Sequence, residues 1–171
     1  MDRIPYSAEV KIPSVTVRYQ IPEGEWRRSA EGRWESAEEP IGDLFEGEVE
    51  IFVSGESIFG PETYPISISN LAVGLASVYT NLKAGQNGEF KFYQLNDGLT
   101  MTFFVEEGHV RLSHNLAPGK EWHTSRVEVL AGLSTFIESF TGQVQARIPE
   151  GLDWKQLCRL KDYAKQQVPP P

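Results

Sequence analysis

Hydrophobic and polar positions alternate most regularly between residues 44 and 53. Phe45, Val49, Ile51 and Val53 share one parity there, and Glu46, Glu48 and Glu50 share the other. A two-residue period belongs to a strand with one buried and one solvated face, so this segment predicts a strand that carries a carboxylate ladder on its outer side. Residues 8–21 also alternate, with Val10 and Ile12 on one parity and Val15, Val17, Tyr19 and Ile21 on the other. The switch falls at Pro13-Ser14. A bulge there would re-aim the strand, and a proline without an N–H suits an edge position.

Beyond the turn-rich stretch 55–65 the period becomes helical. Ile68, Leu71, Leu75, Val78 and Leu82 form one stripe, with Ser67 or Ser69 placed to cap it. Gly74 lies inside this helix; it costs about 1 kcal/mol relative to alanine, and its small size would let another element pack closely. Three short strands follow over 90–95, 99–105 and 110–114, joined by Asn96-Asp97-Gly98 and Glu106-Glu107-Gly108. Both links are tight-turn sequences, which predicts an antiparallel meander. After a loop over 115–122, Ser125 and Glu128 have the spacing of a capping box. The helix they open has Val127, Leu130, Ile137, Phe140 and Val144 as its expected stripe. Asp153 could cap a last helix with Trp154, Leu157, Leu160, Tyr163 and Ala164 on its apolar face, before Pro169-Pro170-Pro171 stops it and leaves 165–171 as a frayed tail.

These elements predict an α+β fold, with an antiparallel sheet of about five strands and two to three helices packed mainly on one face. The acidic alternation of 44–53 argues against a sheet covered on both sides. A length of 171 residues fits a single domain over 1–171. Val49, Ile51, Leu71, Leu75, Phe103, Leu130, Ile137 and Phe140 are the expected core.

Charge sharpens the picture. Residues 22–56 hold eleven acids against three bases, a net charge of −8 that equals that of the whole chain, while the remainder balances at 13 acids and 13 bases. Within that stretch, 22–43 is rich in Gly, Glu, Ser and Pro but contains Trp26 and Trp34, and reads as a long acidic loop anchored by its tryptophans. So one-sided an acidity points to a cationic protein partner. It argues against nucleic acid, for which no Lys/Arg cluster is present. Glu46, Glu48 and Glu50, with Trp34, Glu35, Glu38 and Glu39 of the loop, are the candidate partner-binding residues.

No secretory h-region and no membrane-length apolar run occur, and a lone Cys158 within an apolar helical face fits a reducing, cytoplasmic setting. The chain lacks G-x-S-x-G, the phosphate-binding G-x-x-x-x-G-K-[ST], a dinucleotide-binding G-x-G-x-x-G and H-E-x-x-H. No catalytic residue, cofactor or metal is therefore assigned. His109 and His114 differ by an odd number along one strand, so they should face opposite sides, against a shared metal site; His123 precedes the capped helix.

The strand "EGEVEIFVSGESIFG", the meander "FKFYQLNDGLTMTFFVEEGHVRLS" and the order of elements along most of the chain resemble the small α+β immunity proteins of bacterial polymorphic-toxin and contact-dependent inhibition systems. The resemblance implies a non-enzymatic inhibitor that binds one cognate toxin, often a basic nuclease. Two alternatives compete with it. A small enzyme of unfamiliar motif would use acidic or histidine residues in a cleft between sheet and helices, and a structural or assembly subunit would show a large exposed apolar patch.

Overall fold

A computed structural model describes residues 14–31, 45–60, 65–94 and 98–148. The chain is α+β, as its patterning predicts, and its strands divide between two antiparallel sheets of four rather than forming one sheet of about five. The first sheet contains β1 (Val15–Gln20), β2 (Glu46–Val53), β3 (Glu56–Phe59) and β4 (Ile66–Ser67). Its order is β1-β2-β3, with β4 paired to the start of β2. The second is the meander β5 (Gly88–Gln94), β6 (Leu99–Glu106), β7 (His109–His114) and β8 (Trp122–Ser125), paired in chain order. Among the described residues there are also three helices: α1 (Glu23–Glu31), α2 (Ile68–Lys83) and α3 (Arg126–Arg147). The expected strand before residue 14, the loop residues 32–43, the turn at 95–97 and the last helix with Trp154, Cys158 and the 165–171 tail lie outside the described residues.

The hairpins form where short-range chemistry allows them. Ser54 (φ +52°) and Gly55 (φ +83°) turn β2 into β3, and Glu107 (φ +46°) and Gly108 (φ +85°) turn β6 into β7. Two consecutive positive φ values match the twist of the flanking strands. In α2 the whole expected stripe is buried, and Ser67 Oγ accepts the Asn70 N–H at 3.4 Å as the cap. A Cβ on Gly74 would overlap the Phe92 ring of β5, so the absent side chain lets α2 settle onto the second sheet.

Helix α3 is capped as foreseen, with Ser125 Oγ accepting the Glu128 N–H at 3.2 Å. The Glu128 carboxylate also reaches the residue before β1 and accepts the Ser14 N–H at 2.7 Å. The buried face of α3 differs in phase from the expected stripe: Val129, Leu133, Phe136, Ile137, Phe140 and Val144 are buried, Leu130 is half-buried and Val127 is 73% exposed. Gly132 sets this phase. A Cβ there would overlap the backbone carbonyl of Val15, so α3 crosses β1 along its glycine.

The expectation of a loop throughout 22–43 is corrected at its start, because residues 23–31 form α1. Glu23 and Glu25 lie at its positive end and Arg28 at its negative end, complementing the helix dipole. Buried Trp26 and Ser29 face inward with i,i+3 spacing. Trp26 meets Phe45 edge to face at 5.4 Å, and the Arg147 guanidinium lies 4.8 Å from the centre of its indole. Both sheets and all three helices contribute to one contiguous hydrophobic cluster.

Tyr19 illustrates how β1 is held. Its ring lies edge-on to Phe136 at 5.4 Å and Phe140 at 6.2 Å, and its hydroxyl shares a 3.0 Å hydrogen bond with Ser139. Burial pushes the phenol above its ordinary value near 10, with the Ser139 hydrogen bond pulling the other way. A raised folded-state value means that the stability linked to this group is intact below pH 10 and is lost as pH rises through the folded-state value. The melting temperature is therefore expected to fall more steeply above pH 10 in the wild type than in Tyr19→Phe. Parallel alkaline melting curves would show that Tyr19 is not responsible.

Candidate functional site

The outer face of the first sheet follows from the parity of β2. Gly47, Val49, Ile51 and Val53 are buried, so Glu46, Glu48 and Glu50 turn outward, Glu48 exposed and the other two half-buried. Antiparallel pairing sets Gln20 opposite Glu48, Arg18 opposite Glu50 and Thr16 opposite Phe52. The Arg18 guanidinium lies 4.7 Å from the centre of the Phe52 ring. Arg18, Gln20, Glu48 and Glu50 line a shallow depression of about 180 Å³. Among the described residues no ion pair engages Glu46, Glu48 or Glu50.

The rest of the acidic segment divides in two. Glu25 pairs with Arg28 at 2.7 Å and Glu23 with Arg147 at 2.8 Å, so these charges are spent on holding α1. Trp34, Glu35, Glu38 and Glu39, the other candidate contact residues, lie outside the described residues. Of the expected partner surface, the structure therefore places the β2 ladder, joined by Gln20, Arg18 and Phe52, which sequence reasoning missed. Cross-strand register brings Arg18 and Gln20 beside the acids, and no local pattern within β1 announces it, whereas Phe52 shares the acids' parity within β2 itself.

The histidines separate as their odd spacing requires: His109 is exposed and His114 is buried. His114 Nε2 donates to the Ile58 carbonyl at 2.6 Å, linking the second sheet to β3 of the first. Its ring stacks on Trp122 at 5.3 Å. Sequence reasoning missed that His109 and His123 meet. Trp122–Ser125 forms β8, and the pairing of Arg111 with His123 and His109 with Ser125 makes the two imidazoles diagonal neighbours, with Nε2 and Nδ1 3.0 Å apart. Recognising β8 as a fourth strand of the meander would have revealed them. Neither His109 nor His114 pairs with a carboxylate among the described residues, and no group of three His, Cys, Asp or Glu there is placed to hold a metal ion.

Leu116 and Val127 are the large apolar side chains left exposed among the described residues. No described helix is long and apolar enough to cross a membrane. Comparison with known protein families, with curated proteins and with solved structures finds no match to the chain.

Proposed function

We propose that this chain is a non-enzymatic binding protein which engages a cationic protein partner through the outer face of its first sheet, acting in the cytoplasm as an immunity-type inhibitor. The observation that carries this reading is the β2 ladder: three carboxylates on one solvent-facing side, unengaged by ion pairs among the described residues. Alternate strand residues lie roughly 7 Å apart. Each neighbouring pair then repels by about 0.6 kcal/mol even at the dielectric of water. A basic partner converts that repulsion into attraction, and complementary fields raise the association rate. The Phe52 ring beneath Arg18 adds an aromatic contact of the kind that anchors interfaces. A partner whose active cleft binds phosphates would be blocked by the same carboxylates.

The test begins with parallel capture by the wild type and by Glu46→Lys/Glu48→Lys/Glu50→Lys, keeping a basic protein that only the wild type retains. Against that protein, Glu48→Lys is expected to slow association by roughly tenfold at low salt and to flatten its salt dependence. The melting temperature should hardly change, since an exposed charge contributes little to stability. An association rate equal to the wild type at every ionic strength would mean that the ladder serves solubility alone.

A further inference from the structure

On the outer face of the second sheet, Lys91 of β5, Thr102 of β6 and Ser113 of β7 occupy one row, because register pairs Lys91 with Thr102 and Thr102 with Ser113. The chain beyond β7 folds over this row. Ala117 N–H donates to the His114 carbonyl at 3.2 Å, Lys120 N–H to the Ala117 carbonyl at 3.1 Å, and Gly119 takes a φ of +79° that favours glycine. Asn115 fixes one end: its Oδ1 accepts the Thr100 N–H at 2.8 Å and its Nδ2 donates to the Gly98 carbonyl at 2.6 Å. The result is a broad-mouthed cavity of about 310 Å³ lined by Lys91, Thr100, Thr102, Ser113, Asn115 and Lys120, with His114 also in its wall. That volume falls at the lower end of the range typical of small-molecule sites.

We propose that this cavity binds a small anionic metabolite carrying a phosphate or carboxylate beside hydroxyl groups. Among the described residues its lining contains two ammonium groups and three hydroxyls but no carboxylate, in a chain whose net charge is −8. Lysine only donates hydrogen bonds, whereas hydroxyls both donate and accept, so this set matches anionic oxygens flanked by alcohols. The ion pair between Lys91 and Glu89 holds that ammonium on the sheet face. Two lysines are too few to compete for the counterion-sheathed backbone of a nucleic acid, which leaves a small ligand. His114 contributes to this wall through its backbone, whose carbonyl accepts the Ala117 N–H, while its imidazole turns to the other side of the sheet and donates to the Ile58 carbonyl.

The site is independent of the β2 ladder, and its test is too. The full chain is titrated with glycerol 3-phosphate, with inorganic phosphate and with uncharged glycerol, following backbone amide shifts by NMR and heat by calorimetry. Glycerol 3-phosphate is expected to give saturable shifts at Thr102, Ser113, Gly119 and Lys120, inorganic phosphate weaker ones at the same positions, and glycerol none. Lys120→Glu should weaken glycerol 3-phosphate binding by at least about tenfold, the loss expected of a charge-assisted contact. Ser113→Ala should weaken it less, and Glu48→Lys should leave it unchanged. Shifts that never saturate, that appear equally with glycerol, or that persist in Lys120→Glu would overturn the proposal.

Discussion

Phe140→Ala should lower the stability of the fold by about 3–5 kcal/mol, the range for removing a fully buried aromatic ring. Phe140 is fully buried, and its ring meets Phe45 at 5.7 Å and Tyr19 at 6.2 Å, both edge to face. Those two residues belong to different segments of the first sheet, so the ring fastens β1 and the entry to β2 onto α3. The backbone of Phe45 makes the loss harder to absorb. It holds a φ of +53°, unfavourable for a bulky side chain, and depends on tight packing to stay there. At roughly 2–4 °C per kcal/mol for a chain of this length, the melting temperature should fall by about 6–20 °C. Phe140→Leu should fall by less than half as much, since most of the volume remains. A drop under about 2 °C for the alanine variant would show that α3 does not bury this ring against the first sheet.

The second large effect separates two glycines on one helix. Gly132→Ala places a methyl group where the Val15 carbonyl already lies. The obstacle is backbone, which cannot rotate aside as a side chain can, so α3 must lift from β1. The expected loss is about 3 kcal/mol, even after the gain of about 1 kcal/mol that alanine brings to a helix interior. Gly142→Ala on the same helix meets no atom within 4 Å and should gain up to about 1 kcal/mol. Urea unfolding measures both from the shift in midpoint at an unchanged slope. If both variants moved the midpoint in the same direction, the close crossing of α3 over β1 would be excluded.

What was legible in the sequence is what short-range periodicity encodes. The α2 stripe, the acid-apolar alternation of β2 and the Glu106-Glu107-Gly108 turn all stand where expected, because each is decided within a few residues. The phase of α3 was not legible, since the residue that fixes it is Gly132, which carries no hydrophobic signal. Helix α1 was hidden for a related reason: it buries Trp26 and Ser29, too few positions to show a period. Strand β8 is four residues long and is defined by pairing with β7. The division of the strands into two sheets depends on which strand finds which partner, and alternation says nothing of partners. The candidate surfaces follow the same rule: the β2 ladder lies within one strand, whereas the lysine–hydroxyl cavity is collected from three strands and a loop between residues 91 and 120.

Each long helix serves the sheet that it does not follow. Helix α2 comes after the first sheet in the chain yet lets Phe92 of the second settle on its Gly74, and α3 comes after the second sheet yet lies on β1 of the first. Ser14 and Glu128, joined by a hydrogen bond, are 114 residues apart in sequence. During synthesis β1 therefore waits, its apolar side without a cover, until the last described helix has been made. Folding must close this long connection before most of the packing in the first sheet can form, which makes for a slow, late step. In that interval β1 and β2 present apolar surface to any neighbouring chain, and like charges on the acidic face of β2 oppose the approach of half-built sheets in nascent copies.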